Sequence, residues 1–164
     1  MKQINSKRIL AIDPGTEQSA YMCYYDKELV EFAIVDNETL RHIIPQFTAD
    51  YCAIEMVAHY GMAVGKEVFE TCVWIGRFAE KWESVHKEKT IFIYRKEVTM
   101  HLCHSTRAKD PNVRQAILDM FPCTGGGKTP QKGTKKQPGP LYGISKDVWS
   151  ALAVAITCEE TKLG

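Results

Sequence analysis

The sequence predicts a single α/β domain over residues 1–164, in which helices flank a mixed five-stranded sheet. Five short runs are rich in apolar, β-branched and aromatic residues, a composition typical of strands. Longer segments with helical periodicity lie between and after these runs, which favours helices packed on a sheet. A hydrophobic content of 45% and a charged content of 25% suit one soluble globular core.

The first three strands are predicted to form an antiparallel start to the sheet. Residues 9–12 are four apolar residues in a row and predict a strand buried on both faces. This strand ends at the carboxylate of Asp13, and a Pro-Gly pair then turns the chain. Residues 19–25 and 28–35 flank a two-residue turn and predict a hairpin.

The next segment contains a carboxylate in an unusual place. Asn37 is expected to cap a short helix that ends near Pro45. Residues 51–57 predict a central strand because almost all of them are apolar. Glu55 interrupts this strand, and a carboxylate inside a buried strand is costly unless it is paired, hydrogen-bonded or metal-bound. Glu55 therefore points to a functional site.

The second half of the chain predicts mainly helices. A helix is expected from Lys66 to about Val85, with an apolar face made of Phe69, Cys72, Val73, Ile75, Phe78, Ala79 and Trp82. Residues 90–94 predict the fifth strand, followed by helices over about 96–104 and 110–121. The last helix is predicted to begin near Ser145, with a core-facing stripe made of Val148, Ala151, Leu152, Ala155 and Ile156.

Residues 122–140 predict a flexible basic loop. They contain four of the seven prolines and are otherwise rich in Gly, Thr, Gln and Lys. Four lysines of this loop are expected to contact DNA phosphates, namely Lys128, Lys132, Lys135 and Lys136. Residues that could extend this positive face are Arg95, Lys96, Arg107, Lys109 and Arg114. The alternative is a solvated linker. The stretch 125–129 superficially resembles a P-loop, but no strand precedes it and Pro130 prevents a helix, so no nucleotide is expected.

Several classes of protein are disfavoured. No apolar run reaches the length of a membrane span, and residues 1–7 lack the apolar stretch of a secretory signal. The six cysteines are spread evenly without a Cys-x-x-Cys pair, which favours free thiols in a reducing compartment such as the cytoplasm. The stretch 101–104 contains two histidines and a cysteine, but a second half of a zinc site is missing.

Three carboxylates are predicted to converge. Asp13 ends the first strand, Glu55 lies in the fourth, and Asp147 lies in the first turn of the last helix. If the first and fourth strands are neighbours, these side chains meet at one end of the sheet. Three adjacent anions repel by several kcal/mol per pair even at an effective dielectric of about 20, so they need protons or cations. Hard carboxylate oxygens select Mg²⁺ or Mn²⁺, and two such ions support phosphodiester cleavage.

The same residues carry a family resemblance. Ile-Asp-Pro-Gly-Thr at 12–16, Ala-Ile-Glu-Met-Val at 53–57 and the apolar helix start at 147–155 resemble the RuvC family of Holliday-junction resolvases, most of all its phage-encoded branch. The resemblance implies a ribonuclease H-like fold, a homodimer, and Mg²⁺-dependent nicking of branched DNA in the bacterial cytoplasm. It also implies that Asp13, Glu55 and Asp147 are the catalytic metal ligands.

One departure from the family leaves an alternative open. The family commonly has a second Asp three residues after Asp147, where this chain has Ser150. The site could recruit Asp110 or Glu17 instead, or the protein could bind junctions with weak or lost catalysis. Tyr60, which follows the fourth strand, could stack on an unpaired base or serve in packing. Sugar kinases and actin-like ATPases share an acidic-Gly-Thr turn but need two such domains, for which this chain is too short.

Overall fold

The computed structural model describes residues 7–164, and its N-terminal segment, where no secretory signal is predicted, lies outside the described residues. The strands are β1 (Ile9–Asp13), β2 (Gln18–Tyr25), β3 (Glu28–Asp36), β4 (Tyr51–Met56) and β5 (Ile91–Tyr94). The helices are α1 (Asn37–Ile43), a 3-10 turn (Ile44–Gln46), α2 (Lys66–Glu83), α3 (Arg95–Cys103), α4 (Asp110–Met120) and α5 (Val148–Lys162). Among the described residues, no helix is long and apolar enough to cross a membrane.

The five strands form one mixed sheet in the order β3-β2-β1-β4-β5. β1 pairs with β2 and β2 with β3 in antiparallel fashion, whereas β1 pairs with β4 and β4 with β5 in parallel. This confirms the predicted fold class, including the antiparallel start. The parallel trio β1-β4-β5 aligns three carboxyl ends at one edge of the sheet, and in such sheets this edge is where ligands bind.

Helices cover both faces of the sheet. Successive side chains of a strand point to opposite faces, so each strand contributes to two core layers. Ile9 and Ala11 pack in one core layer with the almost entirely apolar helix α5. Leu10 and Ile12 pack in the other layer with α1 and α2. β1 is therefore buried on both faces, as its unbroken apolar run predicts.

Helix α2 presents a different face to the core than its sequence suggests. Its buried residues are Thr71, Ile75, Phe78, Ala79 and Trp82. Phe69 and Val73 are 61% and 53% exposed, so the prediction that they face the core was wrong. Each precedes a buried position by two residues, and 100° per residue turns it roughly to the opposite side of the helix.

The segment 122–140, predicted to be flexible, is folded on itself by backbone hydrogen bonds. The Gly126 amide donates to Gln137 O (2.9 Å), the Gly139 amide to Lys132 O (2.9 Å), and Gly133 pairs with Pro138 in an isolated antiparallel bridge. A Cβ on Gly133 would lie 2.3 Å from Gln137 O, so glycine is required at this close approach. The composition of this loop reflects a compact fold, while its mobility in solution stays a prediction.

Candidate active site

Asp13 and Glu55 are neighbours because of strand register. Ile12 lies opposite Ile54 in the parallel β1–β4 pair, so the next residues, Asp13 and Glu55, stand side by side. They share the parity of Ala11 and Ala53, whose side chains pack in the α5 layer. Both carboxyl groups therefore point toward the face that α5 covers.

Asp147 reaches the same place from α5. The structure puts it directly before the helix, as the N-cap residue, and not in the first turn as predicted. Lys146 adopts a left-handed conformation (φ 49°), and the Val148 amide donates to Ser145 O (3.1 Å), so a tight turn precedes the helix. Because the charge of Asp147 acts on Asp13, this turn lies near the end of β1. The helix N-terminus also favours negative charge in its vicinity.

The three carboxylates act on one another electrostatically. Burial, the charge of Glu55, a hydrogen bond with the Glu55 carboxyl and the charge of Asp147 together raise the pKa of Asp13 to about 9. The nearby Arg95 guanidinium acts in the opposite direction. Asp13 is thus protonated at neutral pH, and Asp13 and Glu55 hold a proton between them.

The carboxyl groups of this site are donors that suit a divalent metal ion, although the third of them, that of Asp147, lies away from the other two. Among residues 7–164, no three His, Cys, Asp or Glu side chains are gathered tightly enough to hold a metal ion. Asp13 and Glu55 are in contact, and Asp147 acts on Asp13 from further away. A cation that replaced the shared proton would bind two hard oxygen donors at once, and the exposed Asp147 is a candidate for a further ligand. The carboxyl pair therefore fits Mg²⁺ or Mn²⁺.

A hydrogen-bond network that the sequence did not predict holds the turn after Asp13. The Gly15 amide donates to Ser19 Oγ (3.1 Å), Ser19 Oγ donates to Asn37 Oδ1 (2.6 Å), and Asn37 Nδ2 donates to Gly15 O (2.9 Å). Asn37 was predicted to cap α1, but Asp36 occupies the cap position and the Asn37 side chain is buried at this turn. The network joins the turn after β1 to β2 and α1, and so restricts the backbone next to Asp13.

Arg95 and Asp110 were each singled out in the sequence, but their pairing at the site was not predicted. Arg95 begins α3 directly after β5, and its guanidinium donates to the carboxylate of Asp110, the first residue of α4. These two residues and Asp147 line a small cavity together with Ser150. Ser150 is thus close to the site, and Asp110 is the acidic residue nearest to it among the two suggested substitutes. Glu17 lies in the exposed turn before β2.

The predicted DNA-binding residues lie on the loop 122–140, at the start of α3, and in α4 or the turn before it. Most are exposed, as expected for phosphate contacts: Lys96, Arg107, Lys109, Arg114, Lys128, Lys135 and Lys136. Lys132 and Arg114 each lie 5.9 Å from the ring of Trp149 on α5, which connects the basic loop and α4 to the helix that follows Asp147. Lys96 lies 3.9 Å from the ring centre of Tyr60, which is 45% exposed. Arg114 also lines a cavity with Asp147, and Tyr60 lines one with Glu55, so part of the basic surface lies close to the carboxylates.

Comparisons with known proteins support the fold. No protein-family model and no curated protein sequence matches the chain. Among solved structures, RuvC of Thermus thermophilus has a TM-score of 0.63 at 13% sequence identity, covering 92% of this chain and 92% of that one. T. thermophilus RuvC in complex with a Holliday junction substrate gives a TM-score of 0.62 at 11% identity, with 92% of both chains covered. The chain therefore has the ribonuclease H-like fold of RuvC.

Proposed function

We propose that this protein is a metal-dependent endonuclease that nicks branched DNA, Holliday junctions and related forks, by two-metal phosphodiester hydrolysis. The observation that carries the proposal is the proton-sharing pair of Asp13 and Glu55, on which the charge of Asp147 acts, at the carboxyl ends of two central parallel strands. A partly buried pair of adjacent carboxyls destabilises a fold, so its position is better explained by a cation that it binds in the active state.

In this proposal the chain's own residues bind and orient the reacting groups. The charges of both Glu55 and Asp147 act on Asp13, so Asp13 would be the ligand common to any ions that these carboxylates hold. Divalent ions, Mg²⁺ with Mn²⁺ as a substitute, supply water activation and charge neutralisation in such hydrolysis. The turn network at Gly15 restricts the backbone that follows Asp13, which would help to keep its carboxyl in place, and efficient cleavage depends on such positioning.

The basic residues indicate the class of substrate in this proposal. Most of the loop lysines, with Lys96, Arg107, Lys109 and Arg114, are exposed positive charges that suit contact with a phosphate backbone. Tyr60 is exposed beside Lys96 and can stack on a base that a junction leaves unpaired. The complex of T. thermophilus RuvC with a Holliday junction substrate supports branched DNA as the ligand class.

We also propose that the protein is a homodimer. Phe69 and Val73 expose large apolar side chains on α2, whose opposite face is packed on the sheet. Exposed apolar residues on one helix face are typical of a protein interface, and a four-way junction is a pseudo-symmetric substrate that suits two copies. On the sequence motifs alone we assign the chain to the phage-encoded branch, which places it in the cytoplasm of a bacterial host.

The second candidate function is junction binding without cleavage. Ser150 in place of an acidic residue, and the position of Asp147 away from the carboxyl pair, favour it. Both functions predict tight binding of a four-way junction in preference to a linear duplex of equal length. They differ in the fate of the DNA.

A nicking assay separates the two functions. A labelled four-way junction and a linear duplex are incubated with the protein in Mg²⁺ and, separately, in Mn²⁺. The nuclease proposal expects junction-specific nicks that Asp13→Asn abolishes while junction binding is kept. Tight binding without nicks in either metal would establish the binding protein and refute the nuclease.

A further inference from the structure

Arg95 lies at the centre of the candidate active site. It lines the cavity that contains Asp110, Asp147 and Ser150, and it also lines a second cavity that contains Glu55 and Tyr60. Its charge acts on Asp13, as the lowering effect on the pKa of that carboxyl indicates. The guanidinium is therefore the positive group that reaches both sides of the carboxylate cluster.

The backbone position of Arg95 explains this reach. Glu55 pairs with Ile93 and Met56 with Tyr94 in the parallel β4–β5 register, so Arg95 follows at the same edge of the sheet. It is the first residue of α3, and the hydrogen bond from the Tyr94 amide to Glu97 Oε2 (2.8 Å) fixes the start of that helix. Arg95 thus lies at a rigid junction between β5 and α3, as is expected of a residue whose side chain must be held in one position.

The pair with Asp110 orients the guanidinium. The hydrogen bond runs from Arg95 Nη2 to Asp110 Oδ1 and uses one of the five N–H donors of the guanidinium. The side chain of Asp110 is 72% exposed and that of Arg95 is 30% exposed. Such solvent-exposed pairs contribute little to folding stability, so stability alone does not account for a cation placed against catalytic-type carboxylates.

We infer that Arg95 is a catalytic residue that contacts the scissile phosphate, and that Asp110 is a positioning residue that aligns its guanidinium. This inference rests on the proposed nuclease function and goes beyond a general backbone contact. In phosphodiester hydrolysis, negative charge grows on the non-bridging oxygens as the water attacks and the sugar oxygen leaves. A planar guanidinium donates two parallel hydrogen bonds to those oxygens, whereas an ammonium donates as a point charge.

The test separates the cleavage step from binding. Single-turnover rate constants for nicking a four-way junction in Mg²⁺ are measured with enzyme in excess, and junction Kd values are measured without divalent metal. For Arg95→Ala we expect the rate constant to fall by about 100-fold or more while Kd changes by less than about fivefold. Arg95→Lys keeps the charge without the fork and should fall between Arg95→Ala and the wild type. Added ethylguanidine should restore part of the Arg95→Ala rate, which a structural role would not permit.

Asp110 is tested through its dependence on Arg95. Asp110→Asn should slow nicking by about tenfold with unchanged Kd, and the same change should have no further effect in the Arg95→Ala background. Arg41→Ala, which removes a guanidinium from the exposed surface of α1, is the matched control and should nick at the wild-type rate. Thermal melting of each variant shows that it is folded.

The outcomes are distinguishable. An active wild type with an Arg95→Ala rate within threefold of it refutes the catalytic role and leaves the nuclease standing. A loss of rate that saturating protein fully recovers makes Arg95 a binding residue only, and also refutes the inference. A wild type that binds junctions but never nicks them refutes the nuclease itself, and the role of Arg95 with it.

Discussion

The shared proton of Asp13 and Glu55 makes a measurable prediction about stability. The pKa of Asp13 is raised from 3.8 to about 9 in the folded protein, so folding takes up a proton over the range between these values. Because this is an acid with a raised folded-state pKa, the stabilisation is complete below about pH 4 and is lost as the pH rises toward 9. Asp13→Asn is neutral at every pH and still donates an N–H to Glu55. The variant therefore mimics the protonated state without the cost of protonation.

The shift gives the magnitude of the effect. At pH 7.5 the Asp13 carboxyl is protonated in the folded protein, whereas in the unfolded chain, with a pKa of 3.8, it is ionised. Taking up this proton lowers the free energy of unfolding by at most about 5 kcal/mol. Asp13 is only partly buried, so water screens the site and we expect about 1–3 kcal/mol. For a chain of this size that corresponds to a Tm about 3–10 °C higher for Asp13→Asn than for the wild type.

Thermal melts in EDTA at pH 4, 6 and 7.5 measure this difference. The advantage of Asp13→Asn should be absent at pH 4 and should grow with pH. Saturating Mg²⁺ should raise the wild-type Tm, by about 2.7 kcal/mol of stability at 100 times Kd, and leave the variant unchanged. Asp119→Asn, at an exposed position on α4, is the matched control without a pH-dependent gain. A variant that is less stable than the wild type at pH 7.5 in EDTA would refute the shared proton.

Three further predictions concern the DNA surface, the dimer and the turn after Asp13. Alanine at the four loop lysines should lower the slope of log Kd against log salt by about 0.9 for each lysine that contacts a phosphate, in junction-binding titrations: Lys128, Lys132, Lys135 and Lys136. Phe69→Asp combined with Val73→Asp should convert the proposed dimer to a monomer in light-scattering measurements, because charges would replace exposed apolar surface. Asn37→Ala should lower unfolding stability by about 1–3 kcal/mol in denaturant titrations, because Ser19 Oγ and Gly15 O lose a buried partner.

Each of these predictions has a control or a contradicting result. Lys87→Ala with Lys89→Ala removes exposed charge beyond the end of α2 and should leave the salt slope unchanged. An unchanged slope in the loop variant would make the loop a spacer. A wild type that is already monomeric would overturn the dimer proposal. A stability of Asn37→Ala within about 0.5 kcal/mol of wild type would show that the turn network is dispensable.

Much of the fold could be predicted from the sequence, because the signals are local. The apolar run 9–12 and its abrupt end at Asp13 define a buried strand and the residue at its tip. Glu55 in an apolar strand marks a polar group that needs a partner, and both carboxylates lie where the pattern puts them. Periodicity also gave the helices, although α5 begins at Val148 and not near Ser145.

Contacts between different helices and strands could not be predicted from such local patterns. Which side of α2 faces the sheet depends on how the helix docks, and Phe69 and Val73 are as apolar as the residues that are buried. The partners of Asn37 lie 18 and 22 residues away, so a residue that resembles a helix cap instead holds a turn. The glycines and prolines of 122–140 suit a flexible linker and a compact hydrogen-bonded loop equally well.

By itself, the sequence determined the order of the elements, the fold class and the two strand carboxylates, because alternation, helical periodicity and turn residues act over a few neighbouring positions. Only the tertiary structure decided which charges meet. The parallel register of β1 and β4 sets Asp13 beside Glu55, and the packing of α3 against α4 brings Arg95 to Asp110. Such pairs depend on side-chain directions set by packing over long separations, and on the free energy of burying charge, which no local pattern records.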